Sequence, residues 1–223
     1  VVLLAVFVVI EQRVRNPLMP MRVLLERNRG GSYLSSLFIG AGIFSMFLFL
    51  GIYLQSVLGY SPLKSGFAFL PFTFGIVFAA GIASKLLPKI GPRPLMVTGL
   101  IMSASGLLLL TRITPDTSYM THVLPILPVI SIGLGLVFIP SASTSLHGIG
   151  NQDAGVASAL INTSQQVGGS LGTALLNTIA ATSTAAYIKN NGELGPKLLP
   201  AALTHGFTIV FYCSAGLLVI GAI

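Results

Sequence analysis

None of this chain's charges falls within its long apolar runs. Six stretches, 34–57, 65–84, 94–111, 123–145, 154–182 and 203–223, contain no Asp, Glu, Lys or Arg. The 12 Lys and Arg and the 5 Asp and Glu lie between these stretches or at their edges. A soluble helical domain needs a charged face on each surface helix, and these stretches supply none. Charged residues make up 8% of the 223 residues, against about 25% in an ordinary soluble domain. That excludes a cytosolic globular domain and a disordered chain. The net charge of +7 does not signal nucleic acid either, because a basic footprint needs a polar scaffold to display it. A membrane helix needs about 20 apolar residues, so the expected fold class is all-α. The expected architecture is a polytopic membrane bundle of six transmembrane helices over 34–223.

Residues 1–10 are apolar and read as the end of a preceding transmembrane helix. Residues 11–33 read as a basic cytoplasmic connection. Starting and stopping inside apolar runs is expected of a piece of a longer protein. The turns between spans carry breakers. Gly59–Tyr60–Ser61–Pro62 follows the first span, and Pro88, Gly91, Pro92 and Pro94 separate the second from the third. Gly148–Ile149–Gly150–Asn151–Gln152–Asp153 precedes the fifth, and 183–202 reads as the longest connection. Basic residues in short loops mark the cytoplasmic side. Arg13, Arg15, Arg22, Arg27, Arg29, Lys85, Lys89 and Arg93 outnumber Lys64, Arg112, Lys189 and Lys197 on the other side. Residues 11–30, 85–93 and 146–153 are therefore expected inside, and 183–202 outside.

The fifth span is the most unusual. Asn162, Gln166, Gly169, Thr173 and Asn177 recur at steps of four, three, four and four, which at about 100° per residue is one narrow helix face. Polar groups facing lipid are costly, so that face must meet water or another helix. Its amides can line a cavity or hold helices together. Gly168 and Gly172 lie on the adjacent face and fit a helix-packing contact. In the fourth span, Gly133, Gly135 and Pro140 are candidates for a hinge or gate, because Pro removes a backbone hydrogen bond; a static kink is the alternative. In the first span, Phe38 and Phe44 could stack on a flat ligand or pack in the core, and Gln55 near the outer end needs a partner for its amide. Tyr53 and Tyr60 read as interfacial anchors. Asp153 reads as a helix cap. His122, His147 and His205 stand alone at span edges. With Cys213 they form no metal set, no nucleophile–base pair is evident, and no cofactor is implied.

Several segments resemble a known family. Tyr53–Leu54–Gln55–Ser56–Val57–Leu58–Gly59–Tyr60–Ser61–Pro62 with Gly66 and Phe69–Leu70–Pro71, Pro17–Leu18 with Arg27–Asn28–Arg29, and Ala154–Gly155–Val156–Ala157–Ser158 with Asn162–Thr163–Ser164 and Gln166–Val167–Gly168–Gly169–Ser170–Leu171–Gly172 are similar to the major facilitator superfamily. More narrowly they resemble its fourteen-helix drug/proton antiporters of the EmrB/QacA type. The resemblance implies a C-terminal six-helix half, partnered by an N-terminal half of the same chain and embedded in the bacterial inner membrane. It also implies alternating access that exchanges a small amphipathic molecule for protons. A uniporter or symporter on the same scaffold, or a non-transporting truncated module, is the alternative. Ser84, Lys89, Gly91 and Arg93 resemble the superfamily's signature cytoplasmic loop, with Pro88 where that pattern has Asp. Gln165 stands where the pattern carries Arg. No span holds Asp or Glu, so a proton-coupling carboxylate is expected upstream.

Overall fold

The computed structural model describes residues 6, 9, 10, 27–146, 154–191 and 198–222. The connection over 11–26, the loop with His147, Asn151 and Asp153, and the segment with Glu193 and Lys197 lie outside the described residues. Among those described there is no strand. Five helical segments are long and apolar enough to cross a membrane, namely Gly30–Val57, Pro62–Ile90, Pro92–Leu110, Tyr119–Leu146 and Leu198–Ile220. A sixth long helix, Ala154–Asn190, is polar enough along its length to stand apart from them.

Helix α1 spans Arg27–Ile52. The helix therefore begins inside what the sequence reads as a connection to residue 33. Nothing between Arg27 and Tyr33 stops it, because its paired glycines lower helix propensity without removing a backbone donor. It ends in a π-helical turn, Tyr53–Val57. Helix α2, Pro62–Ala68, has Pro62 in its first turn, and the Ser61 hydroxyl accepts from the Lys64 amide at 3.3 Å, as an N-cap should. A single break at Phe69 separates it from α3, Leu70–Ile90. Pro71 explains the break, since it offers no N–H to the turn before it.

Helix α3 runs through Ser84, Lys85, Pro88 and Lys89 and stops only at Gly91. The loop expected over 85–93 therefore shrinks to one residue. Gly91 has φ 79° and ψ 172°, a conformation open essentially to glycine alone, and Pro92 starts α4, Pro92–Leu110. A second π-helical turn, Tyr119–Val123, leads into α5, Leu124–Leu146. Helix α6, Ala154–Asn190, has 37 residues and so extends about 55 Å, well beyond a hydrocarbon core of about 30 Å. The connection expected to start at 183 is thus helical to Asn190. Residues 183–190 contain no Gly or Pro, and Asn191 ends the helix with its side-chain amide donating to the Tyr187 carbonyl at 3.0 Å. Helix α7 spans Leu198–Ile220 and starts earlier than residue 203, with Pro200 near its start.

Helix α1 lies against α6, α5 lies between α3 and α4, and α7 touches α1, α4 and α6. The core joins Leu50, Leu54, Leu107, Leu127, Ile130 and Phe211. Where α1 meets α6, a Cβ on Gly168 would overlap the Leu37 carbonyl and one on Gly172 would overlap Ala41. This is the close backbone approach by which small residues bring membrane helices together.

Candidate functional site

Helix α6 has three sides. Ala157, Ile161, Gly168, Gly172, Leu176 and Ala180 are buried. Leu171 and Leu175 are exposed about a quarter-turn to one side of this buried face. The polar row runs on its other side. Asn162, Gln166 and Asn177 are exposed, while Thr173 is half-buried, and its Oγ1 is enclosed with no hydrogen-bond partner among the described residues. Leu171 and Leu175 can face lipid without cost. Three amides cannot, so this uncovered face belongs to water or to another protein surface.

An aromatic side chain from α1 joins that row. A Cβ placed on Gly169 would stand 2.8 Å from both Cγ and Cδ2 of Phe44, so the ring lies over the glycine. Its other side is open, with 46% of the residue exposed. One turn on, the half-exposed Phe47 packs its ring 4.9 Å from that of Phe69 and 5.0 Å from that of Phe72. Gln55 is exposed on the π-helical turn that ends α1. Eleven residues is almost three helical turns, which sets it on the Phe44 side of α1, beyond Leu48 and Gly51. The result is an uncovered surface of amides and phenyl rings. Amides both donate and accept hydrogen bonds, and ring faces attract flat apolar groups and cations. Among the described residues the one carboxylate is Asp116, exposed in the α4–α5 connection, so this surface has no acid of its own.

Other expected site residues lie elsewhere. Phe38 is not on this face. It is half-buried against α7, where Gly221 approaches its Cβ, because six residues turn a helix well away from Phe44. Gly133 and Gly135 sit in tight contacts rather than at an open hinge. A Cβ on Gly133 would strike Ser103 and Gly99 of α4, and one on Gly135 would meet Ala79 of α3 at 2.6 Å. Helix α5 is clasped between its two neighbours there. Pro140 is buried. The hydroxyls beside it donate to the Pro140 carbonyl, from Thr144 at 2.8 Å, and to the Ala142 carbonyl, from Ser145 at 2.8 Å. Ser84, Lys89 and Arg93 are exposed at the helix ends around Gly91.

Sequence reasoning missed two clusters. Ser36 and Ser141 are buried and share a hydrogen bond of 3.2 Å between α1 and α5, one residue from Pro140. At the end of the bundle that carries Lys64, Tyr53 is fully buried and its hydroxyl donates to the Thr114 carbonyl at 2.9 Å, so it is no surface anchor. Tyr119 donates to the Ala68 carbonyl at 2.7 Å, Tyr60 lies 6.2 Å from the Tyr119 ring, and the Lys64 ammonium sits 3.7 Å above the Tyr60 ring. The pairing of Tyr60 with Lys64 four residues on was a readable signal. The partners of Tyr53 and Ser36, 61 and 105 residues away, were not.

The profile of the Major Facilitator Superfamily matches residues 4–173. Over its whole length the chain is 42% identical to the puromycin resistance protein pur8 of Streptomyces alboniger, of which it covers 45%. Over 81% of its length it is 36% identical to the cephamycin export protein CmcT of Amycolatopsis lactamdurans, covering 38% of that protein. Over 86% it is 30% identical to a multidrug resistance protein B homolog of Mycobacterium tuberculosis, covering 35%. The chain thus spans less than half the length of these curated relatives. Apolar helices packed through small residues, one uncovered polar face and a family match over three-quarters of the sequence agree with one another, and the chain belongs to the Major Facilitator Superfamily.

Proposed function

We propose that this chain is the C-terminal half of a secondary transporter that exports amphipathic drugs or toxic small molecules by alternating access. The observation that carries this reading is the uncovered face of α6 and α1, where the Phe44 ring lies over Gly169 in the row of Asn162, Gln166, Thr173 and Asn177. A face of that chemistry does not suit lipid. It suits one wall of a cavity whose other wall is an N-terminal half. The names of the relatives, a resistance protein, an export protein and a multidrug resistance protein, support the same direction of transport.

Protons are the proposed coupling ion. The spans of this half hold no Asp or Glu, and a proton relay inside a membrane needs a titratable group. The coupling carboxylate therefore belongs to the other half. In this half Gln166 and Asn162 hold the polar part of the substrate, and Phe44 and Phe47 hold its apolar part. The test is uptake of ethidium by everted vesicles that carry the full-length protein, with an imposed pH gradient. Gradient-driven uptake that collapses with a protonophore is expected. Gln166→Ala should raise KM about fivefold, the loss of about 1 kcal/mol of hydrogen bonding. Ethidium movement indifferent to the gradient would contradict proton coupling, and none at all would contradict transport of such compounds.

A further inference from the structure

The three glycines that α6 brings to its contact with α1 are not equivalent. Gly168 and Gly172 press on the main chain of α1 at Leu37 and Ala41. Those neighbours cannot yield without moving the helix. Gly169 meets no backbone among its nearest atoms, which are Cγ, Cδ2 and Cδ1 of Phe44 at 2.8, 2.8 and 3.1 Å. It is also the one member of the polar row without a side chain. Asn162, Gln166, Thr173 and Asn177 all offer hydrogen bonds, and Gly169 is the gap in the middle through which a ring from α1 reaches the same face. A methyl there would strike the side chain of Phe44 at Cγ and Cδ2, so the ring must give way.

We propose that Gly169 is a positioning residue that determines substrate selectivity. By seating the Phe44 ring among the amides of α6, it makes this wall prefer planar aromatic compounds over aliphatic ones of equal charge. The inference rests on the transport reading for its setting, and equilibrium binding tests it separately. Phe47, with its contacts to Phe69 and Phe72, continues the aromatic wall toward α3.

Two permanent cations serve as probes of the full-length protein. Tetraphenylphosphonium carries rings and decyltrimethylammonium carries none. Binding to purified protein and transport by everted vesicles are measured for wild type, Gly169→Ala, Phe44→Leu and the double variant. Gly169→Ala should weaken tetraphenylphosphonium about fivefold to tenfold in Kd and KM, the scale of one aromatic or cation–π contact. It should leave decyltrimethylammonium and kcat within about twofold. Phe44→Leu should weaken tetraphenylphosphonium to the same extent, and Gly169→Ala should add nothing to it, as expected when two changes remove one interaction. Equal losses for both cations, unchanged selectivity, or additive effects would overturn the proposal. If Gly169→Ala fails to accumulate in the membrane, recovery on adding Phe44→Ala supports the proposal, since that change removes the Cγ and ring atoms that the methyl strikes. Failure of both variants overturns it. Wild type that binds tetraphenylphosphonium selectively but does not move it contradicts the transport reading alone, and wild type that binds neither cation contradicts both.

Discussion

Tyr53 shows how a single side chain joins distant parts of this bundle. Its ring is in the core, and its hydroxyl donates to the Thr114 carbonyl between α4 and α5. Tyr53→Phe keeps the ring and deletes the bond. It should lower stability by about 1 kcal/mol, the net worth of a typical hydrogen bond, read as an earlier midpoint in thermal unfolding in detergent. The buried Ser36–Ser141 pair calls for a different measurement, because either hydroxyl can donate. Ser36→Ala and Ser141→Ala should each destabilise, and the double variant should cost less than their sum by about 0.5–1 kcal/mol. At this scale the sequence was informative where a period spoke. The spacing of Asn162, Gln166, Thr173 and Asn177 set them on one face without any knowledge of a neighbour. It was uninformative where the neighbour decides. Phe38 and Phe44 look alike in sequence, yet one meets Gly221 just after α7 and the other Gly169 on α6.

At the scale of helices, apolar run length anticipated the five helices long and apolar enough to cross a membrane, and turn chemistry anticipated only some of their ends. Ser61–Pro62 starts α2, Pro92 starts α4 and Pro200 sits near the start of α7. The ends of α3 and α6 were misjudged for one reason. A basic residue marks the membrane edge, but a helix stops only where a residue forces it to. Helix α3 therefore continues past Lys85 to Ile90, and α6 continues past residue 182 to Asn190. The two π-helical turns were invisible in the sequence, since they depend on packing at the end of the bundle that carries Lys64. Gly91 carries the tightest connection. Gly91→Ala places a Cβ at φ 79° and should cost about 1–3 kcal/mol. The check is the unfolding midpoint together with protease cleavage near residue 91. Pro92→Ala, which leaves that conformation possible, should cost less.

Across the whole molecule, the division between charged loops and uncharged spans made membership of a polytopic membrane class legible from the first reading. The matched family profile over residues 4–173 agrees with it. Which side of each helix is covered was not legible, because coverage depends on how six helices pack. Helix α6 illustrates this. Its sequence shows a polar row and a leucine row, but only packing against α1 shows which neighbours border each. The account holds that the polar row faces an aqueous cavity and the leucine row faces lipid. Cysteine labelling of the full-length protein in its membrane tests that claim most directly. Asn162, Gln166, Asn177, Leu171 and Leu175 are replaced by cysteine one at a time, in a background otherwise free of cysteine, and exposed to a membrane-impermeant thiol reagent. The account predicts fast labelling at 162, 166 and 177, slowed by bound tetraphenylphosphonium, and little or none at 171 and 175. Equal labelling of both rows, or protection of the polar row with labelling of the leucine row, would contradict it.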